Sequence, residues 1–281
     1  MTPIIKTISD LHKTLEPWRN QSIAFVPTMG NLHAGHVALV QHARTLAHRV
    51  VVSIFVNPLQ FGPTEDYALY PRTLDQDTQQ LTEAGADLLF APTPQEIYPR
   101  GEAGTTTVTV PSLCDILCGA TRPRHFTGVA TIVTILFNIV QPEVAIFGEK
   151  DFQQLLVIRQ LVTDLCLPIK IVAYPTVREH DGLAMSSRNS YLSTEERGKA
   201  PLLYRTLCRM RDAVVIGATD YERIEETGRN ELCAAGFSPE YCVIRRASDL
   251  SAPQVGDRHL VALTAARLGR TRLIDNIQVI L

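Results

Sequence analysis

His33 and His36 stand one helical turn apart in the run Pro27-Thr28-Met29-Gly30-Asn31-Leu32-His33-Ala34-Gly35-His36. Imidazoles donate hydrogen bonds to phosphoryl oxygens as negative charge builds there. The run follows an apolar segment, Ser22 to Val26, and opens a helical pattern from Gly35 to about His48. A helix start turns unpaired N–H groups and partial positive charge toward an anion. Gly30 and Gly35 let the backbone approach a nucleotide closely. The plainer reading makes the two histidines polar helix caps.

Three further runs carry polar chemistry. Phe147-Gly148-Glu149-Lys150-Asp151-Phe152-Gln153-Gln154 also joins an apolar run to a helical one. Lys150 offers a compact charge to phosphate, and Gln154 offers both a donor and an acceptor. Met185-Ser186-Ser187-Arg188-Asn189 gathers two hydroxyls and a guanidinium, a set that suits triphosphate oxygens. In Val56-Asn57-Pro58-Leu59-Gln60-Phe61-Gly62, Gln60 is polar where an apolar run gives out. The alternatives are a solvated charged turn, an interdomain linker and turn closure.

These runs need elements to hold them. Val50 to Val56 is β-branched with little polar alternation, as in strands buried on both faces of a parallel sheet. Strands are also expected at Asp87 to Phe90, Glu143 to Phe147 and Ile169 to Ala173. Helices are expected at Arg72 to Ala84 and Gln153 to Cys166. Val129 to Val140 is apolar on every side and so belongs in a core or an interface. The alternation predicts β-α-β units in a doubly wound sheet, whose ligands sit beyond the carboxyl ends of its strands. After about Ser190 the pattern changes. Ser193-Thr194-Glu195-Glu196 reads as a capped helix start, with helices at Glu195 to Val215 and Asp220 to Ala235. Strands follow at Glu240 to Arg245, His259 to Ala265 and Arg272 to Ile280, the last two joined by a hairpin at Leu268-Gly269-Arg270.

The 281 residues allow one or two domains. The formal net charge of -2 gives no global basic field for nucleic acid. None of the six cysteines forms a C-x-x-C pair, and buried thiols suit a reducing compartment. No signal-peptide pattern opens the chain, and Val129 to Val140 is short of the ~20 apolar residues a bilayer needs. The expectation is a cytoplasmic protein with no membrane or nucleic-acid partner.

The His33-x-Gly35-His36 turn with the Met185-Ser186-Ser187-Arg188 loop resembles the nucleotidyltransferase superfamily, which includes class I aminoacyl-tRNA synthetases. More narrowly, PTMGNLHAGH, IFVNPLQFGPTEDYALYPRT, HFTGVATIV, FGEKDFQQL and REHDGLAMSSRNSYLS are similar, in that order, to the pantothenate synthetase family. The resemblance implies a Rossmann-like α/β catalytic domain over residues 1–180. It also implies a smaller α+β lid over 181–281, and a homodimer. The implied reaction joins pantoate and β-alanine at the expense of ATP, through a pantoyl adenylate. Met29, Gly30, Asn31, Leu32, His33, Ala34, Gly35 and His36 match the family's ATP-contacting turn, with His36 at the position of its proton donor. Ala34 stands where the family is often acidic. Gly148, Glu149, Lys150 and Asp151 match a second ATP turn, Val177 an adenine contact, and Met185, Ser186, Ser187 and Arg188 a phosphate loop. His33, His36 and Lys150 are thereby the catalytic candidates. Gln60 and Gln154 match the pantoate contacts, with Gln60 also near β-alanine. Triphosphate chemistry implies Mg2+, with Asp77 as the acidic candidate, although Gln76 stands where some members carry a second acid. An adenylyltransferase acting on a phosphorylated substrate would share the histidine turn. It would need a basic pocket in place of Gln60 and Gln154.

Overall fold

A computed structural model describes residues 1–62, 65 and 67–281. Pro63, Thr64 and Asp66, inside one of the family-like segments, lie outside the described residues. The chain divides into two compact units. The first comprises Met1–Glu149 and Val157–Pro175, and the second Lys150–Leu156 and Thr176–Leu281. The division falls slightly before the expected one, and the short Lys150–Leu156 segment counts with the second unit.

The first unit is built on a six-stranded sheet. Its strands are β1 (Ile4–Ile5), β2 (Ile23–Thr28), β3 (Arg49–Ile54), β4 (Leu88–Phe90), β5 (Val144–Gly148) and β6 (Lys170–Tyr174), in the spatial order β1-β4-β3-β2-β5-β6. Every pairing is parallel. The helices, in chain order, are α1 (Ile8–Leu15), α2 (Ala34–Ala43), α3 (Leu74–Ala84), α4 (Pro94–Ile97), α5 (Cys118–Thr121), α6 (His125–Val140) and α7 (Phe152–Asp164), the last straddling the division. Strand alternation sorts the core. Ala24, Val26, Val50, Val52 and Leu89 share one cluster with Leu39, Val40 and Ala43 of α2 and Leu81 and Ala84 of α3. Phe25 faces the other way and meets Phe137 of α6 edge-on.

β2 runs through Pro27, where the sequence pattern predicts an end. Pro27 and Thr28 stay in register with β3, whereas the pairing with β5 involves only Ala24 and Phe25. The missing proline N–H therefore costs no ladder bond on the β5 side. α6 begins at His125, earlier than its apolar pattern suggests, and its apolar residues from Val129 to Val140, apart from the half-buried Ile135, are buried within the chain itself. The helix thus gives no independent support for an interface. Successive strands β2, β3 and β4 step one way from β2, and β5 lies on its other side. β2 and β5 therefore flank the point where the winding reverses, the place where such sheets bind ligands.

The second unit pairs helices with an antiparallel sheet of β7 (Phe237–Arg246), β8 (His259–Leu268) and β9 (Thr271–Ile280). Leu268 pairs with Thr271 across Gly269-Arg270, so the hairpin turn has two residues, with Gly269 at φ 56°. The expected long helix after Ser193 is two helices, α8 (Thr194–Lys199) and α9 (Leu202–Val215). Pro201 lacks the N–H to continue the ladder and separates them. Ser193 and Glu196 do form the reciprocal cap that their spacing predicts. α10 (Tyr221–Ala234) completes the unit, whose core includes Leu203, Leu207, Met210, Leu232, Ile244 and Ala262.

Candidate active site

The turn after β2 is held from below. The Thr28 hydroxyl donates to the Ser53 carbonyl at 2.8 Å and accepts the Gly30 N–H at 3.2 Å. Gly30 has φ 81°, and a Cβ there would sit 3.0 Å from an Ile54 methyl and 3.1 Å from Asp77 Oδ2. Asn31 follows at φ 50°. Asp77, on α3, is 1% exposed. Its Oδ2 accepts the Asn31 N–H at 2.9 Å and its Oδ1 the Leu32 N–H at 2.8 Å. Thr73 Oγ1 adds a third contact at 3.2 Å.

His33 is the N-cap of α2. Its Nδ1 accepts the Gly35 N–H at 3.1 Å, and His36 Nδ1 accepts the His33 N–H at 3.3 Å. The rings lie 4.1 Å apart between centroids. Both histidines are helix caps, as the plainer reading holds, and the caps settle their chemistry. A nitrogen that accepts a backbone N–H carries no proton, so each neutral ring carries its proton on Nε2. Two Nε2–H donors thus accompany the positive end of α2 at the reversal point of the sheet.

Gln60 ends a short turn, Pro58–Gln60, after β3 and is 9% exposed. The fully buried Asn57 donates from Nδ2 to Gln60 Oε1 and to the Gly128 carbonyl, each at 3.0 Å. Asn57 Oδ1 accepts the Leu59 N–H at 3.3 Å and the Tyr98 hydroxyl at 2.7 Å. Burial pushes the Tyr98 phenol well above its ordinary range, so it remains a donor. The Gln60 carbonyl accepts His125 Nδ1–H at 2.7 Å and Arg122 at 3.3 Å. Arg122 grips Glu65 through Nε and Nη2, at 2.6 and 2.7 Å. Burial alone would raise the Glu65 carboxyl. The Arg122 hydrogen bonds and charge, with the Gly62 amide, hold it down at about 2. Gly128 lets α6 come this close, since a Cβ there would collide with the Leu59 carbonyl.

Gly148 ends β5 beside β2, and Glu149 follows it in the first unit. The second unit carries Lys150, Asp151, Gln154, Val177 and Met185 to Arg188. There the Lys150 carbonyl accepts the Asn276 side-chain amide of β9 at 2.9 Å. The Val177 carbonyl accepts the Met185 N–H at 3.0 Å, tying the expected adenine contact to the phosphate loop. Arg178, next to Val177, grips the buried Asp275 at 2.6 and 3.0 Å and stacks on Tyr204 at 3.6 Å. Ser186 Oγ caps the turn that contains Ser187 and Arg188. Gln154 is half-buried on α7, next to the buried Gln153.

A metal cage is not assembled from these side chains. Among the described residues, no three His, Cys, Asp or Glu side chains cluster to hold an ion. Both Asp77 oxygens serve turn amides, so Asp77 does not fit the direct magnesium ligand that the resemblance implies; it fits the support of the nucleotide turn. Asn57, Tyr98, Asp275 and Asn276 were not singled out by sequence. Asn57 alone had a local signal, as a capping residue before Pro58.

A family model described as pantoate-beta-alanine ligase matches residues 3–278. A pantothenate synthetase of Ectopseudomonas mendocina is 56% identical over 277 residues, covering 98% of this chain and 97% of that protein. One from Nitrosococcus oceani is 51% identical over 278 residues, covering 98% and 97%. The crystal structure of the Thermus thermophilus enzyme superposes with a TM-score of 0.93 at 47% identity, covering 98% and 99%. A Francisella tularensis pantoate-beta-alanine ligase, complexed with beta-gamma ATP and beta-alanine, superposes with a TM-score of 0.82 at 34% identity, covering 99% and 97%.

Proposed function

The chain belongs to the pantoate-beta-alanine ligase family and is an ATP-dependent enzyme joining pantoate to β-alanine; from that premise we propose how its residues share the work. In the first half-reaction a pantoate carboxylate oxygen attacks the α-phosphorus of ATP. The bond to the β-phosphate breaks, and pyrophosphate leaves. In the second, the β-alanine amine attacks the acyl carbon of the pantoyl adenylate. The acyl C–O bond breaks, AMP leaves, and the amine gives up a proton.

The observation that carries this reading is the pair of caps accepted by His33 and His36 Nδ1, which leave the proton of each neutral ring on Nε2. Charge grows on the phosphoryl oxygens and leaving pyrophosphate, and fixed donors stabilise it without reorganising. His33 and His36 take that role, and Lys150 adds a cation. Met29 to His36 and Gly148 to Asp151 supply backbone contacts to ATP, Val177 faces adenine, and Met185 to Arg188 take the phosphates. Gln60 and Gln154 bind pantoate. Magnesium would accompany the triphosphate and offset part of its charge. The enzyme works as a cytoplasmic homodimer, with the second unit as a lid. In the described residues no helix is long and apolar enough to cross a membrane.

The test is AMP release with pantoate, β-alanine and ATP, against omission of each. AMP should form only with all three, and pantoate with ATP alone should give enzyme-bound adenylate and pyrophosphate. Release of free AMP without β-alanine, or transfer of AMP onto a phosphorylated acceptor, would overturn the reading.

A further inference from the structure

We propose that Tyr98 is a positioning residue for acid recognition: through Asn57, its hydroxyl holds the Gln60 side-chain amide in the orientation that turns Nε2 toward the substrate. The inference rests on the reading of Gln60 as a pantoate contact.

The polarity follows outward from the backbone. A peptide N–H only donates and a carbonyl only accepts. The Asn57 atom that meets the Leu59 N–H is therefore Oδ1, and the one that meets the Gly128 carbonyl is Nδ2. These contacts set the polarity of the Asn57 amide, and the Tyr98 hydroxyl holds the amide in place. The second Nδ2 proton meets Gln60 at 3.0 Å, so the Gln60 atom there is the acceptor, Oε1. Nε2, a pure donor, is the end left for substrate. It matches the carboxylate and hydroxyl oxygens of pantoate.

Tyr98 closes the chain at its inner end. It is 2% exposed, and its ring meets Phe55 edge-on. Its hydroxyl donates to Asn57 Oδ1 at 2.7 Å, shorter than the 3.3 Å contact from Leu59. Without that hydroxyl, Asn57 Oδ1 keeps only the longer contact and the amide is loosened. Gln60 then samples the flipped state, which sets Oε1 against the pantoate carboxylate. Acceptor facing acceptor leaves both unpaired, the kind of mismatch that governs selection among hydroxylated substrates.

The experiment is steady-state kinetics on the wild type, Tyr98→Phe, Gln60→Ala and the double variant. Tyr98→Phe keeps the ring and its packing. It should raise KM for pantoate roughly 5- to 10-fold, the scale of one buried hydrogen bond. KM for ATP and kcat should stay within about twofold. In the Gln60→Ala background the same substitution should be silent, because no amide remains to be oriented. An unchanged pantoate KM in Gln60→Ala would remove Gln60 from the acid site, and this proposal with it. If Gln60→Ala raises that KM but Tyr98→Phe does not, or if the two effects simply multiply, the Gln60 reading stands and the Tyr98 role is overturned. Should Tyr98→Phe fail to fold, 15N NMR of the wild type decides. The Gln60 side-chain NH2 pair, assigned by its loss in Gln60→Ala, should shift on pantoate addition; an unmoved pair overturns the polarity.

Discussion

At the residue scale, each imidazole divides its labour between two atoms: Nδ1 caps the helix and Nε2 carries the proton. Removing His36 loses both. We expect His36→Ala to lower kcat by about 10²–10³, while stability falls by only about 1 kcal/mol, the scale of a lost cap. Kinetics and thermal unfolding on one preparation check this, and near-normal turnover would take His36 out of the reaction. Asp77 makes a separate expectation. Asn in its place offers one acceptor where two amides need one each. Asp77→Asn should raise KM for ATP and leave the magnesium concentration for half-maximal activity unmoved. A higher magnesium requirement would restore Asp77 as a metal ligand. The histidine turn was legible because its chemistry is local, a strand end meeting a helix start. The Asp77 tie to Asn31 and Leu32 was not. Nothing in one sequence says that α3 passes beneath the turn.

At the scale of elements, the short turn that bears Gln60 is clamped by parts distant along the chain. α6 meets it through Gly128 and His125, and Arg122 reaches both Gln60 and Glu65. Glu65 is ionised in the fold down to about pH 2, against an ordinary value of 4.5. Because the folded value is the lower one, the Glu65–Arg122 contribution is present above the ordinary value and is lost as pH falls from 4.5 toward 2. The stability advantage of wild type over Glu65→Gln should therefore be full at neutral pH and shrink through that window. Melting temperatures of both proteins across it decide; a gap that widens on acidification would refute the pairing. The parallel sheet was legible from buried β-branched runs, and the C-terminal hairpin from its glycine turn. The break at Pro201 was also visible in principle, since proline cannot continue a helix. Tyr98 was not, because a core aromatic gives no hint of where its hydroxyl points.

For the whole molecule, the candidate residues fall in both units, and Asn276 binds the Lys150 segment to the second. That contact joins residues far apart in sequence, so no composition shift marks it. The homodimer rests on family resemblance, since most apolar residues of α6 are covered by their own chain. Light scattering at micromolar concentration should give the mass of two chains, and a monomeric mass would refute it.

The histidine cap also has a consequence for heat tolerance. Asparagine is among the best N-cap residues and histidine is not. His33→Asn should keep the cap of α2 and stabilise the protein by a few tenths to about 1 kcal/mol, while removing an Nε2 proton from the reaction. A selection for thermal endurance alone, blind to turnover, would drift toward that substitution and deliver a sturdier, idle protein. The melting temperature and kcat of His33→Asn should move in opposite directions.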